Sequence, residues 1–255
     1  MKKLLVSMFA LGAFPAPVMA ADLYTPVEPI PFSWNGFYLG GHAGYGWSDK
    51  EWTLYDSGNP NTGPEDCSGC GEVKTSYGMD GFLGGFQLGY NHQINTIVIG
   101  GEIDFSFSGM DGTGEWQAGA GEDEGDGQLN TTDRNGKTEL NWLMTVGPKL
   151  GMAMDQTLFY AEGGLAVADE DYSHLGNGAN RIYKGSDTRT GWFIGAGLEH
   201  AFDSNWSAKV EYNYIDLGSD KVSMSRTTGS NETRTAIFDI DQDMHVVKFG
   251  LNYRF

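Results

Sequence analysis

The tightest constraint on this chain is a period of two that returns eight times, each time over ten or so residues. Ile97, Ile99, Ile103, Phe105 and Phe107 oppose Gly100, Glu102, Asp104, Ser106 and Ser108, so every charge falls on one side. Successive side chains of a strand point to opposite faces, so such a segment is a strand with one apolar and one polar face. No apolar run reaches the eighteen or so residues that a membrane helix needs. The chain is therefore confined to a soluble β fold or a closed barrel, because an open sheet edge cannot enter lipid.

The other seven segments repeat the pattern. In Gly36 to Trp47, Phe37, Leu39, Ala43, Tyr45 and Trp47 face away from Tyr38, Gly40, His42, Gly44 and Gly46. The second sets Phe82, Phe86, Leu88 and Tyr90 against Gly85, Gln87, Gly89 and Asn91, and the fourth sets Leu140, Trp142, Met144, Val146, Leu150 and Met152 against Asn141, Thr145, Gly147, Lys149 and Gly151. Pro148 interrupts the fourth, where a lost ladder bond predicts a bulge or local distortion. The fifth and sixth place Phe159, Ala161, Leu165 and Val167, then Trp192, Ile194, Ala196 and Leu198, opposite Glu162 and Glu199. In the seventh Ala208, Val210, Tyr212 and Tyr214 oppose Lys209, Glu211 and Asn213, and the last places Val247, Phe249, Leu251, Tyr253 and Phe255 opposite Lys248, Gly250, Asn252 and Arg254.

Connections alternate long (48–80, 109–137, 169–190, 218–243) and short (92–96, 153–157, 202–206). Volume decides which face is inside. Eight strands enclose a lumen just wide enough to be filled by side chains. The bulky apolar faces are too large for it, whereas the glycine-rich charged faces fit, so the apolar faces meet lipid. Glycine, 38 of 255 residues, is about twice its usual share, as that interior requires. The reading is an all-β fold: an eight-stranded antiparallel transmembrane β-barrel with short periplasmic turns and long extracellular loops.

Lys2 and Lys3 precede an apolar run from Leu4 to Phe14, then Pro15, Pro17, Val18 and Ala20, the pattern of a cleaved secretory signal peptide over residues 1–20. Residues 21–33, with Pro26, Pro29 and Pro31, read as an extended periplasmic leader, and 34–255 as the barrel. The formal charge is −18, and loss of the two lysines makes it more negative. Such acidity argues against a nucleic-acid partner.

On the inward faces Glu102, Asp104, Glu162, Glu199 and Glu211 share the lumen with Lys149, Lys209, Lys248 and Arg254. Buried charges must pair, so these nine residues predict an interior network that plugs the barrel, with a selectivity or gating network as the other reading. Glu102 is placed to reach Lys149, while Glu199, Lys209, Glu211 and Arg254 fall toward the periplasmic end. Cys67 and Cys70 lie in the first long loop of an exported chain, where a local disulfide is expected. Acidic runs at Glu122–Asp126, Asp169–Asp171 and Asp239–Asp243 read as solvated loops; the last opens like a calcium loop but has Met244 where its sharp turn needs glycine. The five histidines are dispersed: His42 inside, His92 in a turn, His174 in a loop, His200 and His245 on lipid faces. No nucleophile, base and orienting acid gather, so no enzyme, cofactor or metal is expected.

Trp34-Asn-Gly-Phe-Tyr-Leu-Gly-Gly41, Gly84-Gly-Phe-Gln-Leu-Gly-Tyr-Asn91, Tyr160-Ala-Glu-Gly-Gly164, Gly195-Ala-Gly-Leu-Glu199, Glu211-Tyr-Asn-Tyr214 and Gly250-Leu-Asn-Tyr-Arg-Phe255 resemble the small outer-membrane β-barrel family of alphaproteobacteria. That family includes the 25 and 31 kDa outer-membrane immunogenic proteins and haemin-binding surface antigens, often loosely labelled porins. Thr145-Val-Gly-Pro-Lys-Leu-Gly151 departs from it, since the family usually has arginine after the valine, which bears on the interior charges of the fourth strand. The face Phe249, Leu251, Tyr253 and terminal Phe255 resembles the carboxy-terminal signal that barrel-assembly machinery reads. The resemblance implies a surface-exposed protein of the cell outer membrane in contact with lipid and lipopolysaccharide. Envelope integrity and surface-antigen display are the expected roles. A small diffusion porin, or an adhesin or haemin-binding protein that meets host or environmental ligands through its loops, are the alternatives.

Overall fold

In the computed structural model residues 32–56, 74–115, 135–175, 182–227 and 233–255 are described. Eight strands follow in chain order: β1 (Gly36–Asp56), β2 (Lys74–Ile94), β3 (Ile97–Glu115), β4 (Asn135–Met154), β5 (Thr157–Leu175), β6 (Ile182–Ala201), β7 (Trp206–Thr227) and β8 (Thr233–Arg254). Each pairs antiparallel with the next, and β8 returns to β1 through pairs from Tyr38↔Arg254 onward, closing the barrel. Closure leaves no free edge.

Three tight connections gather at one end. Asn95 (φ 56°) and Asp155 (φ 52°) take the left-handed backbone conformation at the first two, which Asn and Asp tolerate better than other side chains. In the third, a carboxylate oxygen of Asp203 accepts the amides of Asn205 and Trp206, both at 2.8 Å. We call this the turn end.

From the turn end upward the outer wall is apolar. Phe37, Leu39, Phe86, Leu88, Ile99, Ile103, Leu150, Leu165, Ile194, Phe249 and Leu251 are all exposed. Aromatic rings rim the belt, with Phe37, Tyr90, Phe159, Trp206 and Tyr253 below and Tyr45, Trp47, Phe82, Phe107 and Trp192 above. Phe37 and Trp47 are ten residues apart, about 33 Å along the strand, and a tilt near 40° makes that about 25 Å of height. That is the thickness of a lipid-facing band between aromatic girdles.

Strands of 19 to 22 residues are about twice as long as this belt requires. The connections expected at 48–80, 109–137, 169–190 and 218–243 are therefore largely strand: β1 and β2 pair as far as Thr53↔Lys74, β3 and β4 to Glu115↔Asn135, β5 and β6 to Leu175↔Ile182, and β7 and β8 to Thr227↔Thr233. His92 and His174 accordingly belong to strands rather than to a turn and a loop. The physical reason is an inversion. Above the belt Asp49, Glu51, Asp80, Asp111, Glu139 and Asp241 point outward, while Trp52, Tyr77, Met79, Val222, Phe238 and Ile240 point into the lumen. Alternation persists there with its polarity exchanged, so a template of apolar-out residues stops matching.

Pairing slips by a residue between Phe107 and Met110, between Leu140 and Trp142, and between Asp216 and Gly218. The second slip corrects an expected orientation: Leu140 is buried inside beside Leu143, and Asn141 faces out. Pro148 produces a local gap instead of a bulge: β4 and β5 share no ladder pair at Gly147 and Pro148, while Val146↔Leu165 and Lys149↔Glu162 keep one register around them. Gly163 and Gly164 face it from β5 so closely that a Cβ on Gly147 would lie 2.1 Å from the Gly163 carbonyl oxygen. The β6–β7 seam is less regular, with no pair between Lys184↔Ser225 and Trp192↔Asp216.

Candidate functional site: the barrel interior

Going up from the turn end, the buried inward side chains are arranged in layers. The first is apolar: Trp34, Val98, Ala153, Leu158, Tyr160 and Ala201, with Phe32 against them. Trp34 precedes β1 yet is fully buried, held by its amide on Gln93 Oε1 at 2.7 Å. Arg254 lies over it, 4.5 Å from the Trp34 ring and 4.9 Å from Phe32, and donates to the Ser33 carbonyl at 2.7 Å. Arg254 forms no ion pair among the described residues. Parity assigned it to the interior charges, but at the rim its guanidinium stacks on the segment entering the barrel.

Above this lies the charged layer, its charges set on inward positions of six strands, β3 to β8. Glu102 of β3 accepts from Lys149 of β4, Lys209 of β7 and the Tyr38 hydroxyl of β1. Glu211 takes Lys209 at 3.0 Å, Lys248 at 2.7 Å, the Tyr160 hydroxyl at 2.7 Å and Asn213 Nδ2 at 2.8 Å. Lys248 also reaches Asp104 at 2.9 Å, and Lys149 sits 4.1 Å from the centre of the Tyr160 ring. Glycines make room for these long side chains: a Cβ on Gly250 would lie 3.1 Å from Lys209 Cγ. Glu162 is looser, 4.0 Å from Lys149, and Glu199 accepts from Ser207 and Asn252 instead of a cation. The nine sequence-predicted charges are thus all buried, with six of them in direct ion pairs and Glu162, Glu199 and Arg254 outside that core.

His42 hydrogen-bonds Gln87 Oε1 through Nδ1 at 2.6 Å and Ser106 Oγ through Nε2 at 2.7 Å. A serine hydroxyl on a histidine is the start of a nucleophilic pair, but the ring's other nitrogen is 3.8 Å from Asp104 and is taken by an amide. Ser106 is itself buried among the inward side chains. Oxygens of Glu102, Glu162 and Glu211 lie within 4.8 Å of one another, a spacing that could hold a cation.

Sequence reasoning missed what lies above. Met79, Leu83, Met110, Leu140, Leu143, Ala166, Ala168, Phe193, Ile215, Leu217, Met244 and Val246 form an apolar layer across the lumen. Over it Lys50 pairs with Glu170 at 2.7 Å, and Gln242 donates to the same carboxylate at 2.9 Å. Arg189 donates to the carbonyls of Gly218 (2.6 Å) and Ile240 (2.9 Å) and to Gln242 Oε1 (3.1 Å). Trp52, Tyr77, Tyr172, Val222, Met224, Ala236, Phe238 and Ile240 close the top. Lys50, Glu170 and Arg189 share the inward parity of His42, Glu162 and Glu199, so carrying the strand phase into the supposed loops would have found them. Asp169 and Asp171 point outward on either side of Glu170, and Asp239–Asp243 is an ordinary alternating stretch of β8. Cys67, Cys70 and Glu122–Asp126 lie outside the described residues.

A family model for the outer membrane protein beta-barrel domain matches residues 6–255. The 31 kDa outer-membrane immunogenic protein of Brucella melitensis is 34% identical over 259 residues, covering 98% of this chain and 97% of that protein. Among solved structures, the outer membrane protein OprG from Pseudomonas aeruginosa matches with TM-score 0.51 and 13% identity over 89% of this chain and 99% of its own. The outer membrane protease OmpT from Escherichia coli matches with TM-score 0.52 and 10% identity over the same shares. At such identities the likeness is one of fold alone. Ring closure, the lipid-facing belt and a family match across nearly the whole length agree: the chain belongs to the outer-membrane β-barrel protein family and resides in the outer membrane, its wall in contact with lipid.

Proposed function

We propose that this protein is a sealed, non-enzymatic barrel that serves envelope integrity and displays its extracellular strands at the cell surface. One observation supports the reading: among the described residues, buried inward side chains form two charged layers set between three apolar ones. A water path would have to break buried ion pairs or cross apolar clusters, and stripping one partner from a buried pair costs about 3–5 kcal/mol. The alternative of a small diffusion pore requires such a path. Purified protein in planar bilayers is expected to give no steady single-channel steps, and reproducible steps at modest voltage would overturn the sealed reading.

The surface role draws on the outward carboxylates above the belt and on the relative named as immunogenic. A solvent-facing cleft of about 580 Å³ lined by Lys137, Glu139, Asp171, Lys184 and Ser186 is where an adhesin-like or haemin-binding activity would be sought. Lipopolysaccharide around the upper girdle, and assembly machinery acting on Phe249, Leu251, Tyr253 and Phe255, are the partners this reading expects.

A further inference from the structure

The lower charged section does not balance. Its buried acids, Glu102, Asp104, Glu162, Glu199 and Glu211, outnumber its buried bases, Lys149, Lys209, Lys248 and Arg254, by one. The surplus base of the upper section cannot settle the difference. Glu170 is eight residues from Glu162 on the same strand, about 26 Å, with the apolar layer between. Arg189 spends its donors on neutral oxygens. His42 needs no charge to satisfy its contacts, since Nδ1 can donate to Gln87 and Nε2 accept from Ser106.

The excess localises at Glu162. Glu102, Asp104 and Glu211 each touch at least one ammonium group directly. Glu199 takes two donors, Ser207 and Asn252, on one oxygen, and its other oxygen is buried without a partner; Glu162 accepts no hydrogen bond at all among the described residues. Glu162 Oε1 is buried without a hydrogen-bond partner, and so is Asn213 Oδ1. Both residues flank one glycine. Glu162 pairs with Gly195 from β5 and Asn213 pairs with the same glycine from β7. The Asn213 amide oxygen lies over that glycine, 1.8 Å from where a Cβ would be. Its orientation is fixed, because Asn213 Nδ2 is committed to Glu211.

We propose that Glu162 and Asn213, with the neighbouring oxygens of Glu102 and Glu211, form a binding site for one monovalent cation inside the barrel. A single positive charge balances the section; a divalent ion would leave an excess of positive charge beside three lysines. Two sources fit that chemistry, a sodium ion or a bound proton. Either gives the stranded Glu162 oxygen a partner, which a buried acceptor otherwise lacks at a cost. The site stands whether or not the barrel conducts, so its test is separate from conductance.

The experiment uses the full mature chain folded in detergent micelles, with sodium chloride exchanged for choline chloride at constant ionic strength. If sodium is the occupant, sodium raises the thermal unfolding midpoint by about a few degrees, and Glu162→Gln abolishes the difference. If a proton is the occupant, sodium has no effect, and the infrared spectrum of the wild type contains a protonated carboxylic acid band that Glu162→Gln removes. Under both, Glu162→Gln keeps its fold, whereas Glu211→Gln, which strips Lys209 and Lys248 of a partner, unfolds at markedly lower temperature. Absence of both wild-type signatures overturns the proposal, as does a Glu162→Gln protein destabilised as severely as Glu211→Gln.

Discussion

Asp203 does for the third turn what a strand pair would do elsewhere, because its carboxylate takes two backbone amides. Those bonds hold its carboxyl below the usual range. A depressed folded value means that its contribution is complete above the unfolded value of about 3.9 and is lost as pH falls through the folded one. Asp203→Ala is therefore expected to lower the unfolding midpoint at neutral pH and to flatten its fall as pH drops below about 3.9; a midpoint profile unchanged by the substitution would remove the turn from the account. Residue direction was legible for Glu102, Lys149, Lys209, Glu211 and Lys248, since parity alone decides which face a side chain occupies. Depth is a different quantity. Arg254 has the right parity but sits at the rim, and its stacking on Trp34 depends on a segment that carries no period. Leu140 fails for a third reason, since one extra residue at the Leu140/Trp142 slip exchanges the faces on either side of it.

Among the elements the β6–β7 seam stands apart. Between Lys184↔Ser225 and Trp192↔Asp216 the two strands share no ladder pair, and Arg189 spends its guanidinium on carbonyls of β7 and β8 there. Hydrogen bonds from a charged donor are worth about 1.5–3 kcal/mol each, so one side chain can stand in for part of a lost ladder. Amide exchange should be faster over 185–191 than over the paired stretch 157–168, and Arg189→Met should quicken it further and lower stability by about 2–3 kcal/mol. Uniform protection around the ring would argue that the seam is as tight as its neighbours. No sequence pattern announces this gap, because pairing depends on two strands distant along the chain. Strand number and order were readable for the opposite reason: each membrane crossing carries its own alternation and each short turn fixes its neighbour.

For the molecule as a whole, the terminal face formed by Phe249, Leu251, Tyr253 and Phe255 is fully outward and abuts β1 and β7 at the turn end. Phe255 donates its amide to the Phe37 carbonyl at 3.0 Å, so the last residue also closes the ring. Deleting it should reduce the folded, heat-modifiable form recovered from outer-membrane fractions several-fold, with little change in the stability of barrels refolded in detergent; normal membrane recovery would show that the residue is not an assembly signal. The sequence supported the barrel and its lipid belt, but not the upper half. There, inside and outside exchange chemistry, and a continuous period changes its meaning without changing its beat.

That exchange fixes how the protein rides in its membrane. A shift upward would lift Phe82 and Phe107 of the upper girdle into water, and a shift downward by one turn of the pleat would draw Asp49, Asp216 and Asp243 into hydrocarbon, each at a penalty that grows with depth. Both displacements are resisted all round the circumference, so the barrel has a waterline. From Ser48 to Asp56 the wall climbs eight residues, about 20 Å after tilt, around buried aromatic and apolar side chains, its ladder interrupted at the β6–β7 seam. The outer half therefore works as a post of set height, holding whatever its loops carry at a constant distance above the lipid.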